Sequence, residues 1–148
     1  MIMLPIMLLQ IFLFPYVATV ITDNWTTEHR TLELQDIAGH IGSSIQQLYL
    51  SINRIDTPCT MKLDLDIPTS IDGYAYTVTL GHATQVDSSY KVMNVTLQYI
   101  STKGSCSTLV TLGDDVEWNI DSFNSTQTNL TLIATETGGN IQLTLGGA

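Results

Sequence analysis

Positive charge is what this sequence has least of. Five Lys and Arg stand against fourteen Asp and Glu, a net charge of −9, and only 13% of the 148 residues carry charge at all. With no Lys/Arg cluster to neutralise phosphates, nucleic acid is not expected as a partner. The 44% hydrophobic content argues against a disordered chain, because disorder needs low hydrophobicity. Motifs of chemistry are missing too. There is no Gly-x-Ser-x-Gly, no P-loop and no Cys-x-x-Cys, so nothing is arranged to activate a nucleophile and no enzyme is expected. His29, His40 and His82 lack metal-ligand spacing, and Asp114, Asp115 and Glu117 lack the Gly-spaced calcium loop. Lys62, Asp64 and Asp66 read as the wetted face of a strand. No cofactor or metal is expected.

What takes the place of charge is hydroxyl. The chain has 21 Thr and 11 Ser, most of them beyond residue 55, and β-branched threonines suit strands. The other excess lies at the start. Met1 to Thr22 carries no charged side chain, and Asp23 is the first. About 20 apolar residues span a bilayer core when helical, so this segment has the length to cross one. It does not read as a signal peptide. No Lys or Arg precedes the apolar run, and Tyr16-Val17-Ala18 offers no small-x-small cleavage site.

Further along, Leu34, Ile37, Ile41, Ile45, Leu48 and Ile52 recur at helical spacing, with Glu33, Asp36, His40, Ser43, Ser44 and Gln47 on the opposite side. Nothing between the two stretches demands a break, so one helix is expected from about residue 2 to about residue 54, amphipathic from about residue 32, and roughly 80 Å long. Pro15 is expected to kink or locally melt it, having no N–H to donate. Ala38, Gly39, Gly42 and Ser43 make a small-residue patch that permits close approach.

After Asp56-Thr57-Pro58 the period changes to two. Strands are predicted at Met61–Ile67, Tyr74–Leu80, Met93–Tyr99, Cys106–Leu112, Glu117–Ile120, Leu130–Ala134 and Ile141–Leu145, with turns at Pro68–Gly73, Lys103-Gly104, Gly113-Asp114 and Gly138-Gly139. The fold class is therefore α+β. A helical unit covers residues 1–54, and a β-rich head, a small antiparallel sandwich or a sheet curled on the helix, covers residues 55–148. Ile41, Ile45, Leu48 and Ile52 are the expected packing stripe between helix and head.

Cys59 and Cys106 stand at or before strand starts. If the chain is exported such a pair oxidises, and a Cys59–Cys106 disulfide is the expectation, two unpaired buried thiols being the alternative. Four sequons occur, at Asn24, Asn94, Asn124 and Asn129. Asn94 on the outward face of its strand and Asn124 in a polar loop are the better acceptors for an N-linked glycan.

An uncharged N-terminal helix, an amphipathic continuation and a Thr-rich β head together resemble a mature archaeal type IV pilin. The stretch Ile67-Pro68-Thr69-Ser70-Ile71-Asp72-Gly73-Tyr74-Ala75-Tyr76 is similar to an element at the first hairpin of such heads. Position 5 is Pro5, without the nearby glutamate of bacterial pilins, and the Gly-rich start of archaellins is missing. The resemblance implies a short basic leader removed before residue 1. It implies membrane insertion first, then polymerisation by the assembly machinery into an extracellular, cell-surface filament, with adhesion as the expected role. The filament core would be Ile2, Leu4, Ile6, Leu8, Leu9, Phe12, Leu13, Phe14, Val17 and Val20, and the main partner the chain itself. The rivals are a membrane-anchored monomeric binding module, in the manner of a minor pilin, and an archaellin of a motility filament.

Overall fold

A computed structural model of the chain describes residues 3–83, 89–127 and 129–147, without the side chains of residues 3–5, 8 and 147. Helix α1 runs over Met3–Ile52, 50 residues without interruption, about 75 Å at 1.5 Å per residue. It continues through Pro15, so the local melting expected there does not occur.

The described residues add eight strands: β1 Thr60–Leu65, β2 Tyr76–His82, β3 Tyr90–Tyr99, β4 Ser105–Gly113, β5 Val116–Trp118, β6 Asp121–Asn124, β7 Leu130–Thr137 and β8 Asn140–Gly147. They form two four-stranded sheets, ordered β1-β7-β8-β5 and β4-β3-β2-β6. Every pairing is antiparallel except β5 with β8. The alternation read from the sequence places its apolar members inward. Met93, Val95, Leu97 and Tyr99 of β3 are buried between Tyr76, Val78 and Leu80 of β2 and Val110 and Leu112 of β4. Leu65, Leu130, Leu132, Ala134 and Leu143 supply the facing layer.

Helix α1 completes the core by touching both sheets, β4 and β3 on one side and β7 and β1 on the other. Ile41, Ile45 and Ile52 are fully buried and Leu48 nearly so. The small-residue patch has a place in this contact. A Cβ added at Gly42 would sit 3.2 Å from Val110 Cγ2 and 3.3 Å from Thr108 Cγ2, so glycine lets the helix backbone lie close on β4. Ala38 and Ser44 share that buried side, whereas Ser43 is exposed.

Tyr76 anchors the middle of the head. It is fully buried, and its hydroxyl donates to the Pro68 carbonyl. Burial, with a smaller contribution from Tyr99, pushes its pKa up to about 12. The sign follows from linkage. An unfolded tyrosine ionises near 10 while the folded one holds its proton, so its contribution is intact below about pH 10 and is lost as the pH rises to about 12. Urea unfolding followed across that window should show a loss on the order of 2–3 kcal/mol, and Tyr76→Phe should remove that part of the pH dependence.

Candidate assembly interface

Two halves of one helix meet opposite environments. From Leu34 onward, one side of α1 is buried in the head; residues 6–25 are exposed wherever their side chains are described. At 1.5 Å per residue, residues 3–29 reach roughly 40 Å. The apolar side chains of this half stand in the open on every side: Leu9 is 64% exposed, Phe12 74% and Phe14 80%. Ile6, Leu13, Val17 and Val20 of the expected filament core are exposed likewise. Ile2 lies outside the described residues, as do the side chains of Leu4 and Leu8. Among the described residues no helix is long and apolar enough to cross a membrane.

The threonine hydroxyls on this half are satisfied from within. Thr19 and Thr22 donate their hydroxyls to the carbonyls of Pro15 and Ala18, both at 2.8 Å. Thr26, Thr27 and Thr31 bond back in the same way, to Thr22, Asp23 and Thr27. Threonine in a helix interior can close this four-residue bond to the preceding turn. These threonines would lose little when water is removed, because their hydroxyl donors are already used.

A latch fixes where the free half leaves the head. Ile71 and Tyr74 exchange both backbone hydrogen bonds, at 3.0 and 2.8 Å, across Asp72 and Gly73, whose φ angles are 50° and 79°. Two successive positive φ angles define the tight turn that Asp-Gly favours. The turn holds Asp72 Oδ2 3.3 Å from Arg30 Nε and the Tyr74 ring 4.5 Å beneath the Arg30 guanidinium. Tyr99 packs edge-on against Tyr74 and donates its hydroxyl to the Arg30 carbonyl at 3.2 Å. The sequence reading saw a turn before Tyr74 but not its grip on Arg30; the Asp-Gly pair was the available signal. Tyr74→Ala should cost about 1–2 kcal/mol, the range of a partly desolvated cation–π contact. Hydrogen exchange should show faster opening around residues 28–34 with the far end of the helix unchanged.

The expected disulfide is corrected: Cys59 and Cys106 are both free, half-buried thiols. They belong to edges of different sheets and to different levels of the helix. The Cys59 carbonyl accepts from Glu136 N, and Glu136 lines one hollow with Ile52. Cys106 pairs with Leu97 on β4, beyond Thr108 and Val110, which lie against Gly42. Gly42 and Ile52 are about 15 Å apart along the axis, far outside the roughly 4.4–6.8 Å that a disulfide spans between Cα atoms. Burial also raises the Cys106 thiol pKa. Alkylation of unfolded protein without reductant should therefore label both cysteines, and folded protein at neutral pH should label Cys106 slowly.

The sequons fall in four different settings. Asn24 is exposed within α1, and the Thr26 hydroxyl is bound to Thr22. Asn94 is on the outer face of β3 as expected, but it is half-buried between Gly81 and Leu109, and its Oδ1 is buried without a partner. Asn129 is exposed, yet Thr131 is buried and donates to Asp64 at 2.7 Å. Asn124, expected in a loop, instead ends strand β6 and is half-buried; its Oδ1 accepts from the backbone N and the hydroxyl of Thr126 at 3.1 and 2.9 Å, and Thr126 stays exposed.

Other hollows hold no matching chemistry. A cavity of about 450 Å³ beside β5 is lined by His82, Lys91, Glu117 and Trp118 among others. Three of its side chains are committed to the fold. Lys91 Nζ donates to the Val116 carbonyl at 2.8 Å, Trp118 Nε1 donates to the Gly81 carbonyl, and His82 stacks on Trp118 at 4.8 Å. His29 is beside Glu33 and His40 is exposed on α1. Among the described residues no group of three or more His, Cys, Asp or Glu could hold a metal ion.

The chain is thus an α+β protein, one long helix carrying a two-sheet head on its second half. It matches no protein-family model, no curated protein and no solved structure.

Proposed function

We propose that the chain is the structural subunit of an extracellular filament of the type IV pilus kind, polymerising through the free half of α1. The observation that carries this reading is the exposure of that half, apolar on every side, while the same helix is rooted in a well-packed head. A dozen large apolar side chains are exposed there, and at roughly 1.5–3 kcal/mol each they amount to tens of kcal/mol available on burial. A patch of that size marks an interaction surface. Identical helices packed side by side would cover these side chains on every face.

In this arrangement the heads form the sheath. The outer face of the β4-β3-β2-β6 sheet presents Thr77, Thr79, Thr96, Gln98, Ser105, Ser107 and Ser122, all uncharged. A hydroxyl face of this kind suits adhesion to neutral surfaces, and a glycan on Asn124 would extend it. Sedimentation of the full chain without detergent tests the reading. A polymer that pellets is expected, and a stable soluble monomer would contradict it. Subunits from the native cells should also exceed the 16.3 kDa chain mass by one glycan, lost in Asn124→Gln.

A further inference from the structure

The charge-free part of α1, up to Thr22, leaves two polar groups unused at one level. Pro15 lies inside the helix and has no N–H, so the carbonyl of Ile11 loses its donor from the following turn. Gln10, the residue before, is exposed, and its side chain makes no hydrogen bond among the described residues. Thr19 and Thr22 cannot serve, because their hydroxyls are already given to Pro15 and Ala18. The helix therefore carries a spare amide donor and a spare carbonyl acceptor side by side in sequence.

They do not face the same way. The Ile11 carbonyl points along the axis toward the ring of Pro15, and at 3.6 residues per turn Pro15 lies roughly 140° around the helix from Gln10. The Gln10 side chain also tilts toward the N-terminus, away from that carbonyl. Gln10 shares its exposed helix face with Met7, Ile11, Leu13, Phe14 and Val17, an apolar surface suited to a second helix.

We propose that Gln10 of one copy donates its side-chain amide to the Ile11 carbonyl of the neighbouring copy, and that this contact sets the stagger between helices. The inference rests on the filament reading above. Lipid tails would leave both groups unpaired, whereas copies of the chain on either side satisfy both, as neighbouring helices do for carbonyls freed by proline in apolar surroundings. Because donor and acceptor lie on different faces, pairing leaves one copy its carbonyl and the other its amide, each open to a further copy. A heterologous contact of this kind generates a filament when its rotation does not close a ring. A lone polar contact in an apolar seam fixes register, as a single amide does in coiled coils.

A double-mutant cycle on the full-length chain tests this, using Gln10→Leu, Pro15→Ala and both together. Pro15→Ala returns a backbone donor to Ile11 and so removes the acceptor. Each single variant should still polymerise, with a critical concentration raised about tenfold, the worth of one buried hydrogen bond, and with blurred helical order in electron micrographs. The double variant should be no worse than either single one. An Ile11 carbonyl carrying an isotope label should shift its infrared band on assembly in the parent chain and not in Gln10→Leu. Gln10→Leu polymers with unchanged order and critical concentration, or strictly additive effects, would overturn the contact while leaving the filament standing. A parent chain that never polymerises would overturn both.

Discussion

Phe12→Asp should abolish polymerisation while leaving the head folded. Phe12 stands in the free half of α1, 74% exposed in the single subunit. In a core of identical helices its replacement would bury a carboxylate without a partner, which costs several kcal/mol even after the group protonates. Repeated in every subunit, that cost exceeds what one apolar contact returns. Leu9→Asp should behave alike. The check is pelleting alongside thermal unfolding by circular dichroism: no pellet, with the melting of the head unchanged. Normal polymer from Phe12→Asp would mean that this part of the helix is not the contact surface.

Ile45→Ala should have the largest effect on the head itself. Ile45 is fully buried among residues of both sheets and has no room to be replaced by solvent. Truncating such a side chain costs about 2–5 kcal/mol through lost transfer energy and the cavity left behind. That is a large fraction of the roughly 5–15 kcal/mol that holds an ordinary domain together. Leu32 and Leu50 lie on the same helix and are exposed, so alanine at either should change stability by less than about 0.5 kcal/mol. Urea denaturation at constant slope distinguishes these outcomes. Equal losses at Ile45 and Leu50 would show that the helix is not docked through this stripe.

The sequence carried much of this architecture because its two periods are clean. The 3–4 spacing from Leu34 to Ile52 marks the docked side of α1, and the alternation in β1, β3 and β8 marks their inner faces. It was silent where short elements depend on partners. Strand β6 has a single buried apolar residue, Phe123, too little for a pattern, and it forms because β2 offers a free edge. The expected strand from Glu117 to Ile120 instead ends at Trp118 and begins at Val116, paired in parallel with β8. No local signal specifies a parallel partner. Strand β2 starts at Tyr76, two residues late, because Tyr74 belongs to the turn that grips Arg30.

The candidate site was legible in part for the same reason. An apolar run without charge is visible in any sequence, but distances between chain-remote groups are not. Spacing alone could not show that Cys59 and Cys106 sit at different levels of the helix. The alternation placed Asn94 on the correct side of β3, yet could not reveal that its neighbours cover Oδ1. The threonine bonds along α1 were likewise invisible, since they depend on rotamers and not on residue type.

Electron cryomicroscopy of the purified full-length chain tests the central claim most directly. The expected result is a filament whose centre is a bundle of α1 helices, in contact through residues 6–22, with the two-sheet heads outside and attached at Arg30. Discrete particles with no helical polymer, or a filament joined through its heads with the apolar halves of α1 facing outward, would contradict it.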